Sequence, residues 1–254
     1  MSIRLVSNLE SARRELLRKL IHVGLSLALF IPTLSYYGEL ARNIGFWGDA
    51  TLATYSFFLV SVLFISTLRV RRPELKDSIL RISRDARRAV LQHVKNVGPF
   101  HELVMGIEHT LDKAEQGFFT LVETVERDYE KRYGYVAAIC AVASVLASYV
   151  FFGPVSTQRG IMALAIVDPL ASVLTLYLPR KRTLVKHNVL SPPIAAAAYA
   201  VCLLAAGEKP DRALVLCIVS ATLELVSPED NLTLPLGVSA FHFIFERIGG
   251  FLKL

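Results

Sequence analysis

Three places in this chain combine residue types that do chemistry with surroundings that should exclude them. Ionisable side chains inside long apolar runs are costly and are kept mainly for function. The first place is Glu15-Leu16-Leu17-Arg18-Lys19-Leu20-Ile21-His22. Residues three and four apart share a helix face, so Glu15, Arg18, Lys19 and His22 form one polar stripe. Basic side chains reaching toward an interface explain Arg18 and Lys19, with Glu15 as a partner for Arg18. They do not explain a histidine one turn deeper in the apolar run.

The second place is Asp168-Pro169, inside the apolar run Ile161–Leu178. Pro169 cannot donate to the carbonyl of Ala165, so the sequence predicts a kink there. A carboxylate beside a freed carbonyl suits a cation or a proton. The plainer alternative is an aspartate capping the following half-helix. The third place joins Glu224 to Glu229-Asp230-Asn231. The last three residues alone make an ordinary turn, but Glu224 lies about one turn inside the preceding apolar run. Carboxylates with an amide suit Mg²⁺, which takes oxygen ligands and usually shares them with substrate phosphates.

The elements that must position these residues follow from composition. The chain has 254 residues, 53% of them hydrophobic, with a mean hydropathy of +0.46. Soluble domains are about 45–50% apolar even when glycine is counted. Twenty-eight basic and 22 acidic residues leave a net charge of +6. This balance excludes a disordered chain and a disulfide-rich mini-domain, and no nucleic-acid partner is expected. The three cysteines, Cys140, Cys202 and Cys217, fall in apolar runs and form no disulfide or zinc framework.

The apolar residues lie in blocks. About twenty residues cross the hydrocarbon core as a helix. Leu20–Tyr37, Ala50–Leu68, Gly134–Phe152, Gly160–Leu178, Leu190–Ala206, Ala213–Val226 and Leu232–Phe245 are the candidates, the last two being short. Backbone in lipid must satisfy its own hydrogen bonds, so these spans must be helices. The expected fold is all-α, a polytopic membrane bundle of about seven helices. Residues 1–68 supply an amphipathic start and two spans, 69–133 a cytoplasmic basic helical insert, and 134–254 a five-helix catalytic region. The first run is too long for a signal h-region and reads as a retained span.

Basic residues alternate between the connections. Arg13, Arg14, Arg18 and Lys19 precede the first span, Arg69 to Arg88 follow the second, and Arg180, Lys181, Arg182 and Lys186 follow the fourth. The positive-inside rule then puts the N-terminus, the insert and the 179–189 loop in the cytoplasm, and the C-terminus outside. All three chemical clusters emerge toward that cytoplasmic face. Within the insert, Leu75, Ile79, Ile82, Ala86, Val90 and Val94 make an apolar stripe between arginines. Such a helix lies on anionic lipid headgroups or packs on the second stripe, Leu103 to Val125.

The motifs also carry a resemblance. Glu15-x-x-Arg18-Lys19-x-x-His22 opening a first span resembles the CTP-dependent polyprenol kinase family, which includes dolichol kinase, phytol kinase and yeast-type diacylglycerol kinase. Asp168-Pro169-Leu170-Ala171-Ser172 is similar to its Gly-Asp-x-x-Ala element, with Val167 in place of the glycine. Glu224 with Asp230-Asn231-Leu232 and Pro235 is similar to its carboxyl-proximal element. The family's glycine-flanked loop motifs are reduced here to Arg180, Lys186 and Ser191.

The resemblance implies an integral membrane enzyme with a cytoplasmic active face, transferring a phosphoryl group from CTP to an isoprenoid lipid alcohol. It implies Mg²⁺ held by Asp168, Asp230 and Glu224. It further implies triphosphate contacts from Arg18, Lys19, Arg180 and Lys186, a phosphate or sugar contact from Asn231, and a general base that is Glu224 or His22. Glu15 completes the first motif. A lipid cytidylyltransferase would use the same donor and release pyrophosphate. A transporter would use Asp168-Pro169 as a midplane ion site.

Overall fold

The computed structural model describes residues 2–71, 128–178, 183–184 and 187–251, together with Thr110, Lys113 and Gly117. The fold is all-α apart from a two-residue ladder. The helices are α1 (Ser2–Phe30), α2 (Ser35–Asn43), α3 (Ala50–Arg71), α4 (Asp128–Tyr133), α5 (Val136–Tyr177), α6 (Ser191–Ala205), α7 (Pro210–Val226) and α8 (Asp230–Phe251). Strands β1 (Thr183–Leu184) and β2 (His187–Asn188) pair antiparallel between α5 and α6. The chain divides into two compact units, Phe64–Tyr135 and the remainder. In the smaller unit, the hydroxyl of Ser66 accepts the backbone N–H of Tyr135 at 3.1 Å. The two helical stripes expected within 74–125 lie outside the described residues.

Among the described residues, three helices are long and apolar enough to cross a membrane: Ala12–Thr33, Ala50–Arg71 and Val136–Tyr177. Helix α6 is apolar but has only 15 residues. The first apolar helix begins well before Leu20 and stops before Tyr37, the predicted bounds. Pro32 is the reason, since it cannot continue the α-helical ladder. The chain makes a 3-10 turn at Ile31–Thr33 and restarts as α2. The carbonyls freed at this turn are satisfied by side chains. Thr33 donates to Phe30 at 2.6 Å, Thr51 to Pro32 at 2.6 Å, and Gln158 to Thr33 at 2.9 Å.

Helix α5 spans 42 residues, and its backbone is non-helical at Gly153, where φ is 78° and ψ is 174°. Only glycine enters that region without strain. Pro154 follows and starts a second helical segment, and the hydroxyl of Thr157 closes the break by donating to the Gly153 carbonyl at 2.8 Å. Contacts with α8 reveal the path. Ser144 and Ser148 donate to the carbonyls of Asn231 and Pro235, so the first segment runs parallel to α8. Ser156 meets His242, while Gly160 lies against Pro235 and Ser239, so the second segment runs antiparallel. Gly153 is therefore the tip of a helical hairpin, and the apolar runs at 134–152 and 160–178 form its arms.

Backbone φ and ψ stay helical through Pro169, and non-helical backbone within α5 is confined to Gly153. The aspartate before Pro169 thus caps no half-helix. A proline-lost hydrogen bond is visible instead in α8. Pro235 cannot donate to the Asn231 carbonyl, and the hydroxyl of Ser144 takes that role at 2.9 Å.

The core joins small and apolar residues. Ala163, Val167, Ala171, Ala195, Tyr199, Leu203, Leu216, Leu234 and Val238 form one buried cluster among α5 to α8. Tyr55 fastens α3 to α1 by donating to the Leu29 carbonyl at 2.6 Å. A side chain at Gly160 would bring its Cβ to 2.3 Å from the Pro235 carbonyl oxygen. Such small-residue contacts let membrane helices approach closely. Polar Ser144, Ser148, Ser156, Ser220 and Ser239 are buried, whereas Leu20, Leu25, Phe57, Val60, Val201 and Ile218 are exposed. This inside-out distribution is the one a helical bundle needs in hydrocarbon.

Candidate functional site

Two local devices bring Glu224 and Asp230 together. Ser227 precedes Pro228, which forces an extended backbone (φ −69°, ψ 134°) and ends α7 at Val226. The hydroxyl of Ser227 then accepts the N–H of Glu229 at 3.0 Å, tightening the link into α8. Glu224 is left in the last turn of α7, and Asp230 is the first residue of α8. A carboxylate there is favoured by the amide dipoles of the helix start. Because the second arm of α5 runs antiparallel to α8, Asp168 lies level with that start.

The result is a cluster of three carboxylates from three helical segments. One oxygen each of Asp168, Glu224 and Asp230 lies within 4.8 Å of the others. All three residues are buried, at 4%, 0% and 8% exposure. Three like charges at this separation repel strongly unless cations offset them. One cation is present in the fold itself. Lys19, buried on α1, places its Nζ 2.6 Å from Asp168 Oδ1. His22, one turn further on, places Nε2 3.4 Å from Asp168 Oδ2. Both oxygens of Asp168 are thus met by α1.

The polar stripe of α1 divides. Arg18 pairs with Glu15 in a half-buried contact. Lys19 and His22 face Asp168. The side-chain amide of Asn231 donates to Glu229 at 2.8 Å, so it is committed to its own turn. Arg180 and Lys186 lie outside the described residues. Of the predicted residues, the structure therefore gathers Lys19, His22, Asp168, Glu224 and Asp230.

The donor set is all oxygen, three carboxylates, with a half-buried imidazole behind one of them. That composition fits a hard divalent cation such as Mg²⁺ or Mn²⁺. It is too rich in oxygen and too poor in sulfur or imidazole for a structural zinc site. A cation of charge two would also neutralise carboxylate charge in the cluster.

A second polar group sits toward the hairpin tip, at the other end of the helices, and was not singled out from the sequence. Glu208 Oε2 accepts the Arg159 Nε–H at 2.8 Å, and Arg212 lies 3.5 Å from the other oxygen. His242 bridges Ser156 (3.0 Å) and Glu208 (3.5 Å). His242 does interrupt an apolar run, Leu232–Phe245, whereas Arg159 falls in the polar stretch between two runs. Their partner Glu208, in an exposed-looking Gly-Glu-Lys-Pro turn, carries no such signal.

No protein-family model, curated protein or solved structure matches the chain.

Proposed function

We propose that the chain is an integral membrane phosphotransferase that moves a phosphoryl group from CTP to the hydroxyl of an isoprenoid lipid alcohol. One observation carries the reading. Asp168, Glu224 and Asp230, far apart in sequence, converge as a buried carboxylate cluster with Lys19 against it. Phosphoryl transfer is mostly positioning plus neutralisation of phosphate charge, and a buried oxygen-donor site with an adjacent ammonium supplies both. Asp168, Glu224 and Asp230 would hold Mg²⁺, which when bound would offset charge on the phosphate oxygens. The CTP donor and the lipid acceptor come from the family resemblance.

The remaining roles belong to this chain's own side chains. Lys19 brings positive charge to the phosphate-facing side of Asp168. His22 is the better placed base, because Glu224 is taken up in the cation set and Asp168 stands behind the imidazole at 3.4 Å. A carboxylate there stabilises the imidazolium that forms on accepting the alcohol proton. The exposed apolar flanks of α1 and α3 suit lateral entry of a lipid from the bilayer. With about seven membrane-crossing segments and basic residues flanking the site end, the carboxylates face the cytoplasm, where nucleotide is available.

The test is direct. Purified protein with γ-labelled CTP, Mg²⁺ and a long-chain prenol should yield labelled lipid phosphate and CDP. Release of pyrophosphate would identify a cytidylyltransferase instead. No transfer to any prenol or diacylglycerol, with Asp168→Asn binding CTP as well as wild type does, would refute the kinase reading.

A further inference from the structure

Lys19 is out of place for a residue whose only task is to hold phosphate. Its Nζ is buried and bonded to Asp168 Oδ1 at 2.6 Å, one of three carboxylates whose oxygens converge within 4.8 Å. A buried ammonium is stable only where negative charge surrounds it. Arg18, next in sequence, instead pairs with Glu15. The choice of Lys19 over Arg18 is geometric, since the two point about 100° apart on the helix. The chemistry also differs. A lysine ammonium is a compact point charge on a flexible stem, closer in kind to a metal ion than a planar guanidinium is.

We propose that Lys19 is an exchangeable counter-ion: its ammonium and a divalent cation compete for the carboxylate cluster at Asp168. This rests on the cluster being a cation site, as argued above. Without metal, Lys19 neutralises part of the cluster and keeps α1 seated on α5. With metal, the same positive charge repels the incoming ion and must move off Asp168 Oδ1. The displaced side chain then becomes available to a phosphate oxygen, so cation binding precedes productive phosphate binding.

The experiment uses full-length protein in detergent, titrated with Mn²⁺ alone and read by electron paramagnetic resonance, with no nucleotide or lipid. Wild type, Lys19→Met and Lys19→Arg are compared. Removing a positive charge beside a divalent-ion site should tighten Mn²⁺ binding roughly tenfold or more. Lys19→Arg, which keeps the charge, should bind Mn²⁺ no more tightly than wild type. Equal or weaker binding by Lys19→Met would overturn the exchange and leave Lys19 as a residue that only positions Asp168. Absence of stoichiometric Mn²⁺ binding by folded wild type would instead refute the cation site itself. If Lys19→Met folds only with Mn²⁺ present, the ion replaces the lysine and the exchange stands. If it folds under neither condition, Lys19 is required by the bundle whatever fills the site, and the exchange is refuted.

Discussion

Removing charge from the carboxylate cluster should give an asymmetry that no simple ion pair would show. Consider Asp168→Asn and Lys19→Met, each measured in metal-free protein. At 2.6 Å and an effective dielectric of about 20, the Lys19–Asp168 attraction is about 6 kcal/mol. The same dielectric and a separation of up to 4.8 Å give about 3 kcal/mol of repulsion between Asp168 and each of its two carboxylate neighbours. In Asp168→Asn the lost attraction and the relieved repulsion nearly cancel, and the amide oxygen still accepts from Lys19. Stability should stay within about 2 kcal/mol of wild type. In Lys19→Met the attraction is lost and no carboxylate repulsion is relieved, so three buried carboxylates remain. The cost should be about 3–5 kcal/mol, the range for stranding a buried charge. For a chain of this size each kcal/mol moves Tm by roughly 2–4 °C. Thermal unfolding in detergent with chelator, followed by far-ultraviolet circular dichroism, resolves such differences. Equal losses in the two variants, or a larger loss in Asp168→Asn, would refute the charge arithmetic. The cluster would then not be ionised as drawn.

Other outcomes follow from residues away from the cluster. Glu208→Ala removes the carboxylate that Arg159 meets at 2.8 Å, while Arg212 keeps Glu246 at 3.7 Å, and should lower stability by about 3 kcal/mol as judged by Tm. Its Mn²⁺ affinity should match wild type, because Glu208 takes no part in the carboxylate cluster. Gly160→Ala drives a methyl into the Pro235 carbonyl at 2.3 Å and should cost about 1–3 kcal/mol or more. Gly153→Ala meets open space but keeps φ at 78°, so about 1–2 kcal/mol of backbone strain is expected, measurable by the same unfolding assay. Tyr55→Phe removes the buried bond to Leu29 and should cost about 1 kcal/mol.

What the sequence made legible was set by cost. Asp168 and Glu224 stand in apolar runs where an ionisable group is expensive, and that expense marks them without any structure. Asp230 was legible through its short spacing from Glu224. The stripe on α1 was legible as a face, but not its division, because helical spacing does not say which neighbour each side chain meets. Lys19 meets Asp168 across 149 positions. Pro169 forfeits one hydrogen bond yet leaves backbone φ and ψ helical, so the helix is not interrupted there. Gly153-Pro154 was the stronger signal, since glycine alone takes the left-handed turn and proline starts the next arm. The Glu208 network stayed hidden because its acid sits in a turn of ordinary composition and its arginine 49 positions away. The basic loop residues Arg180 and Lys186 remain a reading of the sequence alone.

The central claim is that three carboxylates from separate helical segments hold one divalent cation. Its most direct test is a Mn²⁺ titration of wild type and Glu224→Gln by electron paramagnetic resonance, with folding of each checked by circular dichroism. The claim predicts one tightly bound ion per wild-type chain, displaced by Mg²⁺, and binding in Glu224→Gln weakened at least roughly tenfold. Folded wild type that binds no ion, or Glu224→Gln that binds it as tightly as wild type, would contradict it.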